Sequence, residues 1–336
     1  MLNRFVGALP GEEIAGAASV YLEGFEEQPE RQSDSAASLA RRYYELVTQF
    51  YERGWGESFH FAPRRKGEPL PVALRRYERD LGGRLRLSPG QKVLELGCGV
   101  GGPMRHLAED FGVNVTGVTI VPYQVERGRA LTRRAGLAGQ CNFVVGDFND
   151  LEFRPASFDA VYTIEACCHA ADRRRPFGEA FRVLRPGGCF AGYDWCLLPD
   201  FDPGRPDHVR IKEGIERGNG IAALRPQSDI VSSLRDVGFE IERAGDWAAT
   251  GDHRFPWYGP LAPGFSLTGF RNSRAGAFLS RLLIRFLEAV RLAPPGTRTV
   301  HDVLRLAQWS LIEGGQKHIF TPSFFWIARK PDLRAA

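Results

Sequence analysis

The chain has 336 residues, of which 43% are hydrophobic, 25% charged and 11% aromatic. That mixture excludes a disordered chain, a collagen and a coiled coil, and the length exceeds one ordinary catalytic core. The formal net charge of +4 is too small to imply a nucleic-acid partner. Six cysteines, at positions 98, 141, 167, 168, 189 and 196, show no CxxC spacing, so no metal site is expected. Reduced, buried thiols in a cytoplasmic protein are the expectation. The opening residues, Met1 to Gly16, lack the long apolar core of a signal peptide or membrane span.

Residues 1–40 read as a poorly patterned arm. A helical pattern from Ala40 to Arg53 leads into an aromatic, Gly-rich segment, Tyr51 to Phe61, and a second helix is expected over Val72–Leu81. Alternating units follow. Strands are expected at Lys92–Leu96, Val113–Thr119, Asn142–Gly146, Phe158–Ile164 and Cys189–Trp195, with helices at Met104–Phe111, Pro122–Ala135 and Arg173–Leu184 between them. A helix at Ser228–Val237 and strands at Phe239–Ala244 and Phe324–Ala328 complete the pattern. These spacings predict an α/β fold with a doubly wound, mostly parallel seven-stranded sheet.

About 75 residues between the last two strands are surplus to such a sheet. They include Phe255-Pro256-Trp257-Tyr258 and a helix over Ala277–Leu292. That helix carries Phe278, Leu279, Leu282, Leu283, Phe286, Leu287 and Val290 at helical spacing, with Arg274, Arg281 and Arg285 on another face. Packing on its own domain and lying on a membrane surface are both open readings.

The turn Gly97-Cys98-Gly99-Val100-Gly101-Gly102 joins the first strand to a helix, where glycines let backbone approach a ligand at the carboxyl edge of the sheet. A nicotinamide enzyme would want an acid ending the second strand, but that strand ends Thr116-Gly117-Val118-Thr119-Ile120 and the next acid is Glu126. Glu95, two residues before the first glycine, is placed instead to hold the ammonium of a bound amino acid.

ELGCGVGG (95–102), GDF (146–148), SFDAVYTIEA (157–166) and RVLRPGG (182–188) together resemble class I S-adenosylmethionine-dependent methyltransferases. The resemblance implies a Rossmann-like methyltransferase fold with S-adenosyl-L-methionine as cofactor, leaving S-adenosyl-L-homocysteine. It assigns Glu95, Gly97 and Gly99 to the methionine part and Asp147 and Phe148 to the adenine, with Cys98 and Gly146 also in the cofactor site. The usual ribose-binding acid is missing. Thr119 and Gln124 look like the variant of cyclopropane fatty acid synthases and are the expected substitutes.

YERGWGESFHF (51–61) packs four aromatics and a histidine into eleven residues. Such residues suit a lid over an apolar ligand. With IEACCHA (164–170), ERGNGI (216–221), FPWYGPL (255–261), RLAPPGT (291–297) and FTPSFFWIARKP (320–331), it resembles the sterol 24-C-methyltransferases over residues 41–332.

That resemblance implies methylation of the side-chain 24(25) double bond of a sterol through a carbocation, a hydride shift and a deprotonation. It implies Tyr51, His60 and Glu165 as catalytic residues, Glu165 also touching the cofactor. Tyr51, Trp55, Phe59, His60, Cys168, His169, Asn219, Trp257 and Tyr258 would line the substrate site. The expected domains are an arm (1–40), a helical and aromatic lid (41–87), a cofactor-binding core (88–250) and a C-terminal cap with the last strand (251–332). Lid and cap together would form one helical substrate cap.

Three departures bear on the substrate. Gly218-Asn219-Gly220 stands where the family usually has Gly-Asp-Gly, Asp194 stands where it often has Glu, and Thr119-Ile120-Val121-Pro122 replaces an asparagine run. Another isoprenoid alkene (squalene, a prenyl diphosphate, a hopanoid precursor) or another sterol position is therefore the alternative. A different class, a catalytically silent lipid- or cofactor-binding protein, would need Glu95, Asp147 and Glu165 to be idle. A sterol or other isoprenoid lipid is the expected partner, with no nucleic acid; peripheral membrane contact and a homo-oligomer are left open.

Overall fold

The computed structural model describes residues 9–25, 33–250, 255–263, 269 and 272–332. The first eight residues of the chain and Gln32 lie outside the described residues. Seven strands form one sheet: β1 (Lys92–Leu96), β2 (Asn114–Thr119), β3 (Cys141–Val145), β4 (Phe158–Ile164), β5 (Leu184–Leu197), β6 (Glu240–Asp246) and β7 (Phe320–Arg329). Their order is β3-β2-β1-β4-β5-β7-β6. All pairings are parallel except those of β7, which is antiparallel to both neighbours.

β1 buries four of its five residues because helices cover both sheet faces, which explains its unbroken apolar run. Between these strands lie α4 (Gly102–Phe111), α5 (Pro122–Arg134), α6 (Arg174–Val183) and α8 (Gln227–Asp236). The strand order reverses between β1 and β4, so a crevice opens at their carboxyl ends.

The remaining helices lie outside these units. They are α1 (Ile14–Glu23), α2 (Ser33–Gly54), α3 (Leu70–Arg84), α7 (Pro206–Asn219), α9 (Arg274–Ala289) and α10 (Thr297–Gln316), with α3 packed beside α4 against the sheet. The stretch read as an unpatterned arm thus contains α1. Ile14, Ala18 and Tyr21 bury one face of it against Leu39, Tyr43 and Val47 of α2 and Val300 of α10. The Tyr21 hydroxyl also donates to the Arg217 carbonyl at 2.6 Å, tying α1 to α7.

Two strands outrun their expected lengths. β7 starts at Phe320 and β5 runs from Leu184 to Leu197, because Cys189–Leu197 pairs with Phe320–Arg329 and Leu184 pairs with Phe158 of β4. Tyr77 of α3 stacks on Tyr193 of β5 at 3.8 Å, which fastens α3 to the sheet.

Candidate active site

Two cavities meet above the crevice. The first, with about 820 Å³ of atom-free space, is lined by Glu95, Gly97, Cys98, Gly99, Thr119, Gln124, Asp147 and Phe148, with residues of α2 beside them. The second, about 970 Å³, is lined by Tyr51, Trp55, Phe59, Cys168, His169 and Asn219, with Phe50, Trp195 and Leu311. Tyr44, Phe59, His60, Glu165 and His169 face both, so they form the shared wall.

The first cavity is shaped by backbone. Gly97 has φ +78, and a Cβ there would run into the Ala166 side chain. The Gly97 and Cys98 amides both donate to the Val118 carbonyl at 2.9 Å, which locks the turn onto β2. The Thr119 hydroxyl donates to Gln124 Oε1 at 2.6 Å, and Gln124 Nε2 donates to Thr48 of α2 at 3.2 Å. Asp147 accepts from both nitrogens of Asn149 at 2.8 Å. Glu95 Oε2 is buried without a hydrogen-bond partner among the described residues. Burial pushes the Glu95 carboxyl up to about 8. Gly146 lies just outside, on a shallow groove next to Asp147.

The aromatic segment closes the first cavity and walls the second. Gly102 N donates to the Glu57 carbonyl at 3.1 Å, and a Cβ on Gly102 would collide with that oxygen. Arg105 of the same helix holds Glu57 Oε2 at 2.6 Å. Trp55 Nε1 donates to the His60 carbonyl at 2.6 Å, and Phe61 N donates to Glu165 Oε1 at 2.7 Å. Removing the half-exposed Glu57 carboxylate costs about 0.5–1 kcal/mol. The amides of residues 55–61 in Glu57→Ala should then exchange about two to five times faster by hydrogen-exchange mass spectrometry. Unchanged exchange would mean the other ties hold the segment without it.

Glu165 sits at the end of β4 with φ +53, a strained value for a residue with a side chain. Its Oε2 accepts from Trp195 Nε1 at 2.7 Å, so both oxygens are held. Burial pushes its carboxyl well above the usual carboxylate range, against those two hydrogen bonds. His60 is held from both sides: Nδ1 faces the Phe61 carbonyl at 2.8 Å and Nε2 faces Glu78 Oε1 at 2.9 Å. Both neighbours are acceptors, so no ring lone pair faces the cavity. Burial opposes the Glu78 charge, but hydrogen bonds from His106 and His60 prevail and hold its pKa down to about 2.

His169 donates through Nδ1 to the Gly220 carbonyl at 2.9 Å and accepts from the Tyr44 hydroxyl at 3.1 Å. Burial lowers it to about 4, so the ring is neutral near pH 7. The turn carrying Cys168 and His169 is pinned by Asp194 Oδ1, which accepts from Cys168 N at 3.1 Å. Buried Arg173 compensates that carboxylate, donating at 3.4 Å, and also holds Asp229 at 2.9 Å. Asn219 donates to the Ile215 carbonyl at 2.8 Å.

Trp257 and Tyr258 are not brought to the cavity wall. Trp257 packs edge-to-face behind Phe61 at 5.1 Å, and Tyr258 covers Gly315. Phe61 and Trp195 take the wall positions those two residues were expected to fill. Tyr44 and Gln308 line the cavities, and Thr48, Glu78 and Arg173 hold Gln124, His60 and Asp194, without having been expected. Their signals are spread over helices far apart in sequence, apart from the Tyr43-Tyr44 pair on an amphipathic helix.

This sheet order, with a glycine turn after β1 and an acid at its tip, defines a class I S-adenosylmethionine-dependent methyltransferase. A family model described as a methyltransferase domain matches residues 94–192, and one described as a sterol methyltransferase C-terminal region matches residues 267–332. A cycloartenol-C-24-methyltransferase of Arabidopsis thaliana is 44% identical over 304 residues, covering 90% of each chain. A sterol 24-C-methyltransferase of Yarrowia lipolytica is 42% identical, covering 88% of this chain and 80% of that one. The chain belongs to the sterol 24-C-methyltransferase family.

Among solved structures, the cyclopropane synthase MmaA2 of Mycobacterium tuberculosis superposes with a TM-score of 0.62 at 17% identity, covering 92% of this chain and 98% of that one. A geranyl diphosphate C-methyltransferase of Streptomyces coelicolor gives 0.58 at 16%, covering 81% and 87%. Both share the fold. The protein is an enzyme that uses S-adenosylmethionine, and its first cavity fits that cofactor. Glu95 Oε2 lacks a partner that an ammonium would supply, and the Gly97 turn leaves backbone bare along the cavity. Among the described residues no helix is long and apolar enough to cross a membrane.

Proposed function

We propose that the protein methylates the side-chain 24(25) double bond of a sterol. One observation carries the reading: an aromatic cavity with no lysine or arginine among its described lining residues shares a wall with the cofactor site. The names of the relatives at 38–44% identity support the same substrate. A diphosphate substrate is disfavoured by that lining, which offers an anion no lysine or arginine among its described residues.

When bound, S-adenosylmethionine supplies an electrophilic methyl group on a sulfonium centre. We assign Glu95, Gly97, Cys98, Gly99, Thr119, Gln124, Asp147 and Phe148 to hold it. An alkene is nucleophilic without a base, so the cavity must orient it and then protect a cation. Carbon 24 gains the methyl, the charge appears at carbon 25, and a hydride moving from carbon 24 returns the charge there. Loss of a proton restores an alkene.

The faces of Tyr51, Trp55 and Phe59 stabilise such a cation without trapping it, by about 0.5–2 kcal/mol per contact. Tyr51 suits this role because its hydroxyl is bonded to Tyr43 at 2.9 Å and burial raises it to about 12. It stays neutral. Glu165 faces the same space and takes the proton; a positive charge in the cavity favours its carboxylate form. His60, with both nitrogens engaged, positions the lid.

Tyr51→Phe should keep turnover near that of the wild type, while Tyr51→Ala should lower it about 2- to 30-fold. Equal losses in the two variants would transfer the role from the ring to the hydroxyl. The functional reading itself is tested with methyl-labelled cofactor and a panel of desmosterol, zymosterol, cycloartenol and squalene, the methyl position being read by mass spectrometry. Label at carbon 24 of a sterol supports it; label only in squalene overturns it.

A further inference from the structure

Helix α9 leaves its apolar side uncovered. Phe278, Leu283 and Phe286 are 63%, 57% and 60% exposed, and Leu279, Leu282 and Val290 are exposed beside them. At about 100° per residue these six side chains fall on one contiguous face. The opposite face packs inward through buried Gly276 and half-buried Ser280, Ile284 and Leu287. Exposed apolar area of this extent marks a surface that meets something.

Charge says what it meets. Arg274, Arg281 and Arg285 line one edge of the apolar face, and the single acid of the helix, Glu288, accepts from the Arg298 backbone amide at 3.0 Å. Next to that edge, α7, α9 and α10 enclose an open cleft of about 1030 Å³. Arg210, Arg217, Arg281 and Arg298 line it, against Glu213 and Asp302. Arg281 pairs with Asp302 at 3.0 Å and Arg210 with Glu313 at 2.5 Å. Arg217 and Arg298 have no acidic partner among the described residues. A second copy of the chain on this face would bring arginine edge near arginine edge, with no acidic strip among the described residues of the helix to offset it.

We propose that α9 lies in the surface of a bilayer containing anionic phospholipid, its apolar face among the acyl chains and the adjoining cleft taking a headgroup phosphate. Arginines at the edge of such a helix extend to the phosphates while their stems stay in the apolar layer. The placement also serves the chemistry, a point that rests on the sterol reading above. Asn272, which lines the aromatic cavity, ends two residues before α9 begins, and Gln308 of α10 donates to its carbonyl at 3.2 Å. A membrane lipid would thus reach the cavity rim beside the docked helix.

The test is co-sedimentation of the full chain with vesicles of phosphatidylcholine, with and without phosphatidylglycerol. Salt dependence and light-scattering mass are measured alongside. The wild type should bind the anionic vesicles, less so as salt rises. Combined Phe278→Ser, Leu282→Ser and Phe286→Ser should abolish binding, with cofactor titration unchanged to show that the fold is intact. Arg217→Gln with Arg298→Gln should weaken binding by about fivefold per charge.

A wild type that ignores anionic vesicles overturns the proposal. So does a dimer that the triple substitution dissociates, since the face then belongs to a second copy. Equal binding to neutral and anionic vesicles overturns the headgroup site. Vesicle binding by a protein that methylates no detergent-dispersed sterol overturns the substrate reading and leaves this one standing.

Discussion

Glu165→Gln should lower turnover by about 10²–10⁴-fold, the usual worth of a positioned proton acceptor, while the cofactor still binds. Glutamine keeps the size of the side chain but cannot take a proton or carry charge against a cation. Its amide nitrogen must also face Phe61 N–H or Trp195 Nε1–H, both donors, so one hydrogen bond is lost. That loss costs about 1–3 kcal/mol of stability and is seen separately as a lower unfolding midpoint. Steady-state turnover beside calorimetric cofactor titration separates the two effects. If turnover survives with the midpoint lowered, Glu165 is a tie for the aromatic segment and the proton leaves by another group.

Glu95→Gln should weaken cofactor binding by about 30-fold to several thousandfold, the range for removing one member of a buried charge pair. The pH dependence identifies the cause. Burial raises the Glu95 carboxyl to about 8. An ammonium at Glu95 favours the carboxylate, so binding must release a proton below that value. Affinity of the wild type should therefore rise by up to tenfold per pH unit toward pH 8. Between about pH 6 and 7 the ligand's own amine is already charged. The glutamine variant should show neither the rise nor the proton release when titrated in buffers of different ionisation enthalpy. Equal proton release in both proteins would place the titrating group elsewhere.

How the chain could be read follows from where its information lies. Strands β1 to β4 and the Cys189–Trp195 part of β5 were legible because each lies as a short run between turn residues, and Pro103 and Pro122 open α4 and α5 visibly. The glycine turn and Glu95 were legible because backbone approach and charge leave a local mark. Helix α1 was missed although Ile14, Ala18 and Tyr21 follow helical spacing; its partners are on α2 and α10, far along the chain. Trp257 was misplaced for a related reason. Its composition marks it as an aromatic for an apolar site, but whether it faces the cavity depends on Phe61, nearly two hundred residues earlier. Likewise the His60–Glu78–His106 chain exists only once three segments are folded together.

Strand β7 carries a consequence for how the molecule is made. It lies between β5 and β6, and β6 pairs with no other strand. During synthesis, β6 leaves the ribosome with nothing to pair to until everything from Trp247 to Ile319 has followed. That stretch includes α9 and α10. Pairings of such long sequence separation form late, because loop closure must come first. The sheet that carries the cofactor is therefore completed only after α9 and α10 have been made. The newborn chain passes through a stage in which an apolar β5 edge is bare, and the arrival of β7 ends that exposure.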